Sequence, residues 1–508
     1  MEIDSDPAPA FANGTHNFAT WFQALTGATF RSDLVSIEDL RQRGAGRGII
    51  ATADIAADTV LFTIPRHAII CSAISALRDK IPRVFDLDGA DGDSDEEGEG
   101  PSSSQDSWTL LILVLIYEYI RGSDSPWKPY LDILPSAFDT PMFWSPAELS
   151  ELQASALGGR VGKEEADEMI RTKILSVIRA HGPVFFPSGS PQLTDTQLLE
   201  LAHRMGSTIM AYAFDLENDD GEENSGDNGD GEDRDEWVED REGRTMLGMV
   251  PMADMLNADA EFNTHINHGD DALTATTLRD IKAGEEILNY YGPLPNGELL
   301  RRYGYVTPKH SRYDVVEVSW DLIEARLKER IESGSGSGVI TADDWDNVKQ
   351  RVRLDEDFEE SFVFERVNED PDATGRLSGD SAFHAIPEEL SNQFKTLLKA
   401  IKKAGGAELV AQALDDKDLR KQLCLQVVVD ALQARERQYL TSLEDDDRLI
   451  GTDRATGRQG MAVWVRRGEK QILREAQAWA RRELNELAQK ISEGSYGEDG
   501  PAAKRRRI

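Results

Sequence analysis

Residues 249–259 read M-V-P-M-A-D-M-L-N-A-D, and residues 278–306 read L-R-D-I-K-A-G-E-E-I-L-N-Y-Y-G-P-L-P-N-G-E-L-L-R-R-Y-G-Y-V. Asn257 ends the first apolar run, where its amide can bond main chain or the polar edge of a ligand. The turn K-A-G-E-E at 282–286 feeds a short β-like run at 287–291. Four tyrosines crowd the second piece, Tyr290, Tyr291, Tyr303 and Tyr305, with Gly292 and Gly304 each following a Tyr. Gly next to an aromatic ring lets main chain approach closely and tolerates positive φ. Tyr offers a broad apolar face and one hydroxyl that seeks a partner when buried. On spacing alone these features also describe an ordinary core with turns.

Composition narrows the classes. A chain of 508 residues predicts two or three domains. Its formal net charge is −37, with eight acidic residues in 86–99 and fifteen in 215–242. Such a body disfavours duplex nucleic acid, which needs clustered Lys and Arg. It suits a basic protein partner drawn in by the field. Only Cys71 and Cys424 are present, too few for a disulfide framework or a Cys-rich zinc cluster. Neither a signal peptide nor a span-length apolar run is found, so a reducing intracellular compartment and no membrane contact are expected. The H-x-x-H of His265 and His268 lies in a polar loop and fits no structural zinc set. The acidic runs lack the Gly and terminal Glu of a calcium loop, so no metal is expected.

Along the chain, residues 1–16 are expected to be disordered, and Phe18, Trp21, Phe22 and Leu25 predict an amphipathic helix over 17–25. Residues 61–64 and 68–70 flank Pro65 and read as paired strands. Residues 86–106 and 217–242 read as acidic disordered loops. Between them 108–120, 164–180 and 194–216 read as helices. Residues 334–338 (G-S-G-S-G) read as a flexible loop. From Arg312 onward amphipathic segments at 320–331, 388–404, 407–413, 419–440 and 469–491 predict a helical domain. The tail 492–508 ends K-R-R-R-I and resembles a monopartite nuclear-localisation signal, which implies a nuclear location.

The motif D-x-L-N at 254–257, followed by G-E-E-I-x-x-x-Y-G and N-x-E-L-L-x-x-Y-G-Y, resembles the C-terminal half of a SET domain, the fold of protein-lysine methyltransferases. Within that superfamily the chain is most similar to the Rubisco and ribosomal-protein branch. A-D-M-L-N-A-D and L-L-R-R-Y-G-Y-V carry the match to the fungal ribosomal-protein subgroup. The resemblance implies an α+β fold: a β-rich SET domain over 17–309, split by a helical insertion over 108–216, then a mostly α-helical substrate-binding domain over 312–491. It implies S-adenosyl-L-methionine as methyl donor, and a monomeric enzyme that monomethylates a lysine of a basic large-subunit ribosomal protein.

That chemistry asks little of the protein. The methyl arrives activated on a sulfonium, so alignment and a neutral lysine amine remain to be supplied. In A-G-R-G (45–48), Gly46 and Gly48 match the turn where SET main chain meets the cofactor, with Arg47 between them. Alone, this run is an ordinary Gly-rich turn without the βαβ context of a dinucleotide site. By resemblance Asn257 contacts the cofactor. The next residue is His in most relatives and Ala258 here, which keeps the same main-chain amide and carbonyl. Tyr291 takes the catalytic position, orienting the amine and also lining the cofactor site. A phenol with a pKa of about 10 is poorly matched to accept its proton. Tyr303 would wall the lysine channel, with Tyr212 and Phe214 lining it from the preceding helix, while Asp254 is a positioning or plainly structural carboxylate. Two rivals stand beside this reading: a histone or transcription-factor target, and a silent SET scaffold that binds basic peptides.

Overall fold

The computed structural model describes residues 8–85, 103–187, 192–217, 245–333, 341–406, 408–452 and 456–495. Most of both acidic loops, the G-S-G-S-G segment, residues 1–7 and the basic end of the tail lie outside these residues.

The N-terminal half is built on three small sheets. In chain order the strands are β1 (Thr29–Phe30), β2 (Val35–Asp39), β3 (Arg47–Ala51), β4 (Val60–Pro65), β5 (Ile70–Cys71), β6 (Ala213–Glu217), β7 (Thr245–Met249), β8 (Asn257–Ala258), β9 (Thr264–His268), β10 (Ala272–Thr277) and β11 (Glu286–Asn289). They assemble as β1-β4-β10-β9, β2-β3-β11-β8 and β5-β7-β6. β10 alternates half-buried and buried residues, the period-2 pattern of a strand with one face on a core. All pairs are antiparallel except β11 with β8, which places Leu288 opposite Asn257 and Asn289 opposite Ala258. β11 also pairs with β3, Ile287 opposite Ile49.

The insertion supplies the helices behind these sheets. In the helix Ser103–Arg121, Leu111 through Tyr117 are all buried, as an apolar-all-round helix must be. The helix Asp195–Tyr212 opens on a Thr194/Gln197 capping box and approaches it closely. A Cβ on Gly206 would stand 3.0 Å from Trp108.

The C-terminal half carries β12 (Val315–Ser319) and β13 (Ser361–Glu365), then helices around a core that includes Trp320, Phe364, Phe394, Leu432 and Ile472. Its last helix, Gly457–Ser495, also reaches the first half. Ala462 and Val465 on it share an apolar cluster with Trp144, Leu152 and Leu157 of the insertion and with Leu300. Polar contacts follow the same seam. Asp446 is fully buried against Arg466 (3.0 Å) and Lys470 (2.6 Å), and Arg466 reaches Glu151 at 3.1 Å.

The α+β reading and the split architecture match what the chain adopts. Five local expectations are corrected. Residues 8–16 are helical, since the first helix runs Ala8–Ala24 and buries Phe11 with Phe18 and Phe22. Residues 61–64 and 68–70 do not pair with each other; β4 joins β1 and β10, and β5 joins β7. The 194–216 helix stops at Tyr212, and the chain continues as β6 because β7 offers it a partner. The last helix begins at Gly457, twelve residues before 469, and the first helical insertion segment begins at Ser103, inside the expected loop 86–106.

Candidate active site

The site forms where β8, β11 and the start of β3 meet. Leu40 donates its N–H to Gly46 O (2.9 Å), and Gly44 adopts φ 85°, so the chain doubles back before entering β3. Gly46 is exposed, with no atom within 4 Å of where a Cβ would stand. Gly48 is the opposite: a Cβ there would lie 2.8 Å from Asn257 Nδ2 and 2.9 Å from Glu286 Oε1. Asn257 Nδ2 donates to Arg47 O (3.2 Å) and to Glu286 Oε1 (2.7 Å). The parallel β8–β11 pair thus brings the 46–48 turn to Asn257, two segments 210 residues apart.

Arg47 contributes to this arrangement through its main chain. Its guanidinium turns away, donating from Nε to Thr15 Oγ1 (2.9 Å) and from Nη1 to Ile133 O (3.0 Å). Arg47 as a cofactor-site residue is thus a matter of its main chain, while its side chain braces the N-terminal helix against the insertion.

Just before Asn257 the chain makes a strained turn, with Met252 buried at φ 83°. This turn delivers Asp254 inward, where its Oδ2 accepts the Tyr130 hydroxyl at 2.6 Å. Asp254 Oδ1 is buried without a hydrogen-bond partner among the described residues. Burial raises the Asp254 carboxyl to about 7, against the stabilising Tyr130 hydroxyl.

Tyr291 stacks on Tyr303, with ring centroids 4.6 Å apart and 19° between planes, and Tyr305 tilts against Tyr303 at 6.2 Å. Tyr291 donates its hydroxyl proton to Leu256 O (3.1 Å), and Tyr305 donates to Ala258 O (3.3 Å). All three residues are half-buried. Desolvation pushes the Tyr291 phenol well above its ordinary value, helped by neighbouring Tyr305, Tyr303 and Tyr212. Tyr212, at the end of its helix, lies near enough to be felt by the Tyr291 phenol and packs on the main core. Phe214 sits on β6 opposite Gly248 and packs on the main core. No ring contact between it and the tyrosines is found among the described residues.

Tyr303 and Tyr305 are set by the short helix Asn296–Tyr303. Gly304 closes it at φ 78°, returning its N–H to Leu299 and Leu300 carbonyls. A side chain at 304 would strike the Asp139–Thr140 main chain at 3.1 Å. At the other end the buried Asp314 carboxylate accepts the Asn296 N–H (2.9 Å). Sequence reasoning missed Glu286, Tyr130 and Asp314. Glu286 lies within the G-E-E-I motif, where strand alternation was an available signal; the other two carry none. His265 and His268 lie on exposed β9 positions, and no group of three or more His, Cys, Asp or Glu suited to a metal occurs among the described residues.

The SET domain model of protein families matches residues 46–292, and the Rubisco LSMT substrate-binding model matches 367–473. Ribosomal lysine N-methyltransferase 4 of Saccharomyces cerevisiae is 34% identical over 329 residues, 64% of this chain and 62% of its own length. The match therefore spans less than two thirds of that protein. N-lysine methyltransferase SETD6 of Mus musculus is 25% identical over 455 residues, 84% of this chain and 83% of its own. A crystal structure of the SET domain of LSMT bound to lysine and AdoHcy covers 98% of both chains, with a TM-score of 0.60 at 20% identity. With the two family models falling in order on the two halves of this fold, the chain carries a SET domain followed by a Rubisco LSMT substrate-binding domain.

Proposed function

We propose that this chain is an S-adenosylmethionine-dependent protein-lysine N-methyltransferase that monomethylates a basic large-subunit ribosomal protein, with a nuclear location suggested by its K-R-R-R tail. The observation that carries the activity is the convergence of the 46–48 turn, Asn257 and the Tyr291–Tyr303 stack on one short parallel strand pair. The residues fit the cofactor. Gly46 leaves open, side-chain-free space beside polar main chain, and Asn257 is fixed next to it by Arg47 O and Glu286. When bound, the cofactor supplies an activated methyl group.

The protein's share is positioning. Tyr291 stays a neutral phenol, because desolvation raises its pKa. Its proton is engaged by Leu256 O, so its oxygen lone pairs are what it offers to a lysine amine. The faces of Tyr291, Tyr303 and Tyr305 remove water from the amine and favour its uncharged form. Holding the amine along one line of approach can account for several powers of ten in rate.

The ribosomal target is supported by the similarity to the Saccharomyces protein and by an acidic chain suited to a basic partner. The longer match, to the mouse N-lysine methyltransferase, names no ribosomal target, and a histone or transcription factor stands as the second reading. Radiolabelled methyl transfer into an extract of cells lacking this protein separates them. A labelled large-subunit ribosomal protein is expected; a labelled histone or transcription factor moves the substrate to the second reading, and no labelled protein overturns the activity.

A further inference from the structure

The N-terminal helix does more than cover the core. Phe11, on its first turns, is buried with its ring between two guanidinium groups: Arg41 at 3.9 Å and Arg47 at 3.8 Å from the ring centroid. These two arginines bracket the Gly44–Gly46 turn. Arg41 is tied to Asp39 at its entry, at 2.6 Å, and Arg47 leaves it as the first residue of β3. The same helix holds Arg47 twice more. Thr15 Oγ1 accepts from Arg47 Nε (2.9 Å), and Phe11 O accepts from its Nη2 (3.3 Å). Gly14 also lies against this guanidinium, since a Cβ there would stand in ordinary contact with Arg47 Nη2 at 3.5 Å. The main chain of the same Arg47 faces the other way and accepts the Asn257 amide. One residue therefore connects the helix on its side-chain face with Asn257 on its main-chain face.

We propose that Phe11 and Thr15 are positioning residues for cofactor binding: acting through Arg47, they hold the 44–48 turn in register with Asn257. This rests on the reading of that turn as the cofactor site. The physical reason is the turn's own composition. Gly44, Ala45, Gly46 and Gly48 have almost no side chains to pack, so the segment has high conformational freedom and must be fixed from outside. Two arginines gripping one buried ring fix both of its ends with one wedge, and cation–π contacts strengthen as water is excluded.

The test uses the full chain and three variants. Phe11→Leu keeps an apolar side chain and removes the ring face. Thr15→Val keeps shape and removes the acceptor for Arg47. Phe364→Leu trims an equally buried ring in the other half of the molecule and serves as control. S-adenosylmethionine dissociation constants are read by calorimetry, and amide hydrogen exchange is followed at residues 44–48 without ligand. Phe11→Leu is expected to weaken binding about tenfold and Thr15→Val about threefold. Exchange in the turn should speed in both and not in Phe364→Leu. Folded Phe11→Leu and Thr15→Val proteins that bind and exchange like the parent overturn the proposal, as does equal weakening by Phe364→Leu. Should Phe11→Leu fail to fold, Thr15→Val decides. A parent chain that does not bind S-adenosylmethionine removes the cofactor reading instead, and the exchange rates then decide whether the helix braces the turn.

Discussion

Tyr291 illustrates how little chemistry separates a core residue from a working one. Its ring is packed against Tyr303, and its hydroxyl has a main-chain acceptor in Leu256, so nothing in its contacts is unusual for a structural tyrosine. What differs is its surroundings, since Asn257 and the 46–48 turn meet on the strand pair that leads into it. Tyr291→Phe should leave the melting temperature and the cofactor dissociation constant nearly unchanged while lowering kcat about a hundredfold, because one oriented oxygen is lost. Wild-type turnover would remove the residue from the mechanism. Asn257 carries more structural weight, since its amide satisfies both Arg47 O and Glu286 Oε1. Asn257→Ala strands these groups and should weaken cofactor binding by about 1–3 kcal/mol. Calorimetry on the purified variant checks this directly, with an unchanged constant reducing Asn257 to a structural role.

Among the elements, the helix Asn296–Tyr303 is the one whose ends matter most. Pro295 precedes it and has no side-chain cap to offer; the capping carboxylate comes from Asp314, which accepts the Asn296 N–H and stands close to its side-chain amide. Burial raises the Asp314 carboxyl to about 7, with the Asn296 N–H and Arg366 pulling the other way. An unfolded chain titrates its Asp at about 3.9. Between these values folding takes up a proton, so this group's contribution to stability falls as pH rises and reaches its minimum once it has ionised above about 7. Asp314→Asn keeps the shape and cannot ionise. Its melting temperature should depend less on pH between 5 and 8 than that of the parent, a difference that two-protein thermal scans resolve. Parallel pH profiles would mean that Asp314 stays charged throughout.

At the scale of the whole molecule, the last helix joins the two halves. Arg458 at its start pairs with Asp139 (3.0 Å), in the loop against which Gly304 is packed, and with Glu148. Farther along, Asp446, Arg466, Lys470 and Glu151 form the buried ion group of the seam. Breaking a buried charge set by removing one member is more costly than never having had it, because the partners stay desolvated and unpaired. Asp446→Ala should therefore destabilise the protein by about 3–5 kcal/mol, read by denaturant unfolding. A loss below about 1 kcal/mol would show that water reaches Arg466 and Lys470 on their own.

Legibility followed the range of the forces involved. The Gly-rich turn, the strand-and-tyrosine run from 284 to 305, the capped helices and the acidic segments are local: turn chemistry, side-chain period and charge are written within a few residues of each other. Those features divided the chain into a β-rich half and a helical half, whereas the grouping of Asn257, Tyr291 and Tyr303 into one site came from the resemblance of their motifs to a SET domain. Directions and partners were not local. Whether Arg47 points at a ligand or at Phe11, whether Asp254 finds Tyr130, and which carboxylate caps the Asn296 helix depend on contacts between residues 36, 124 and 18 positions apart. The early start of the last helix likewise follows from Ala462 and Val465 finding Leu300 and Trp144 to pack on, a burial that no property of residues 457–468 alone announces. Only packing decides which buried polar group meets which partner, because an unpaired one costs more than any local preference can return.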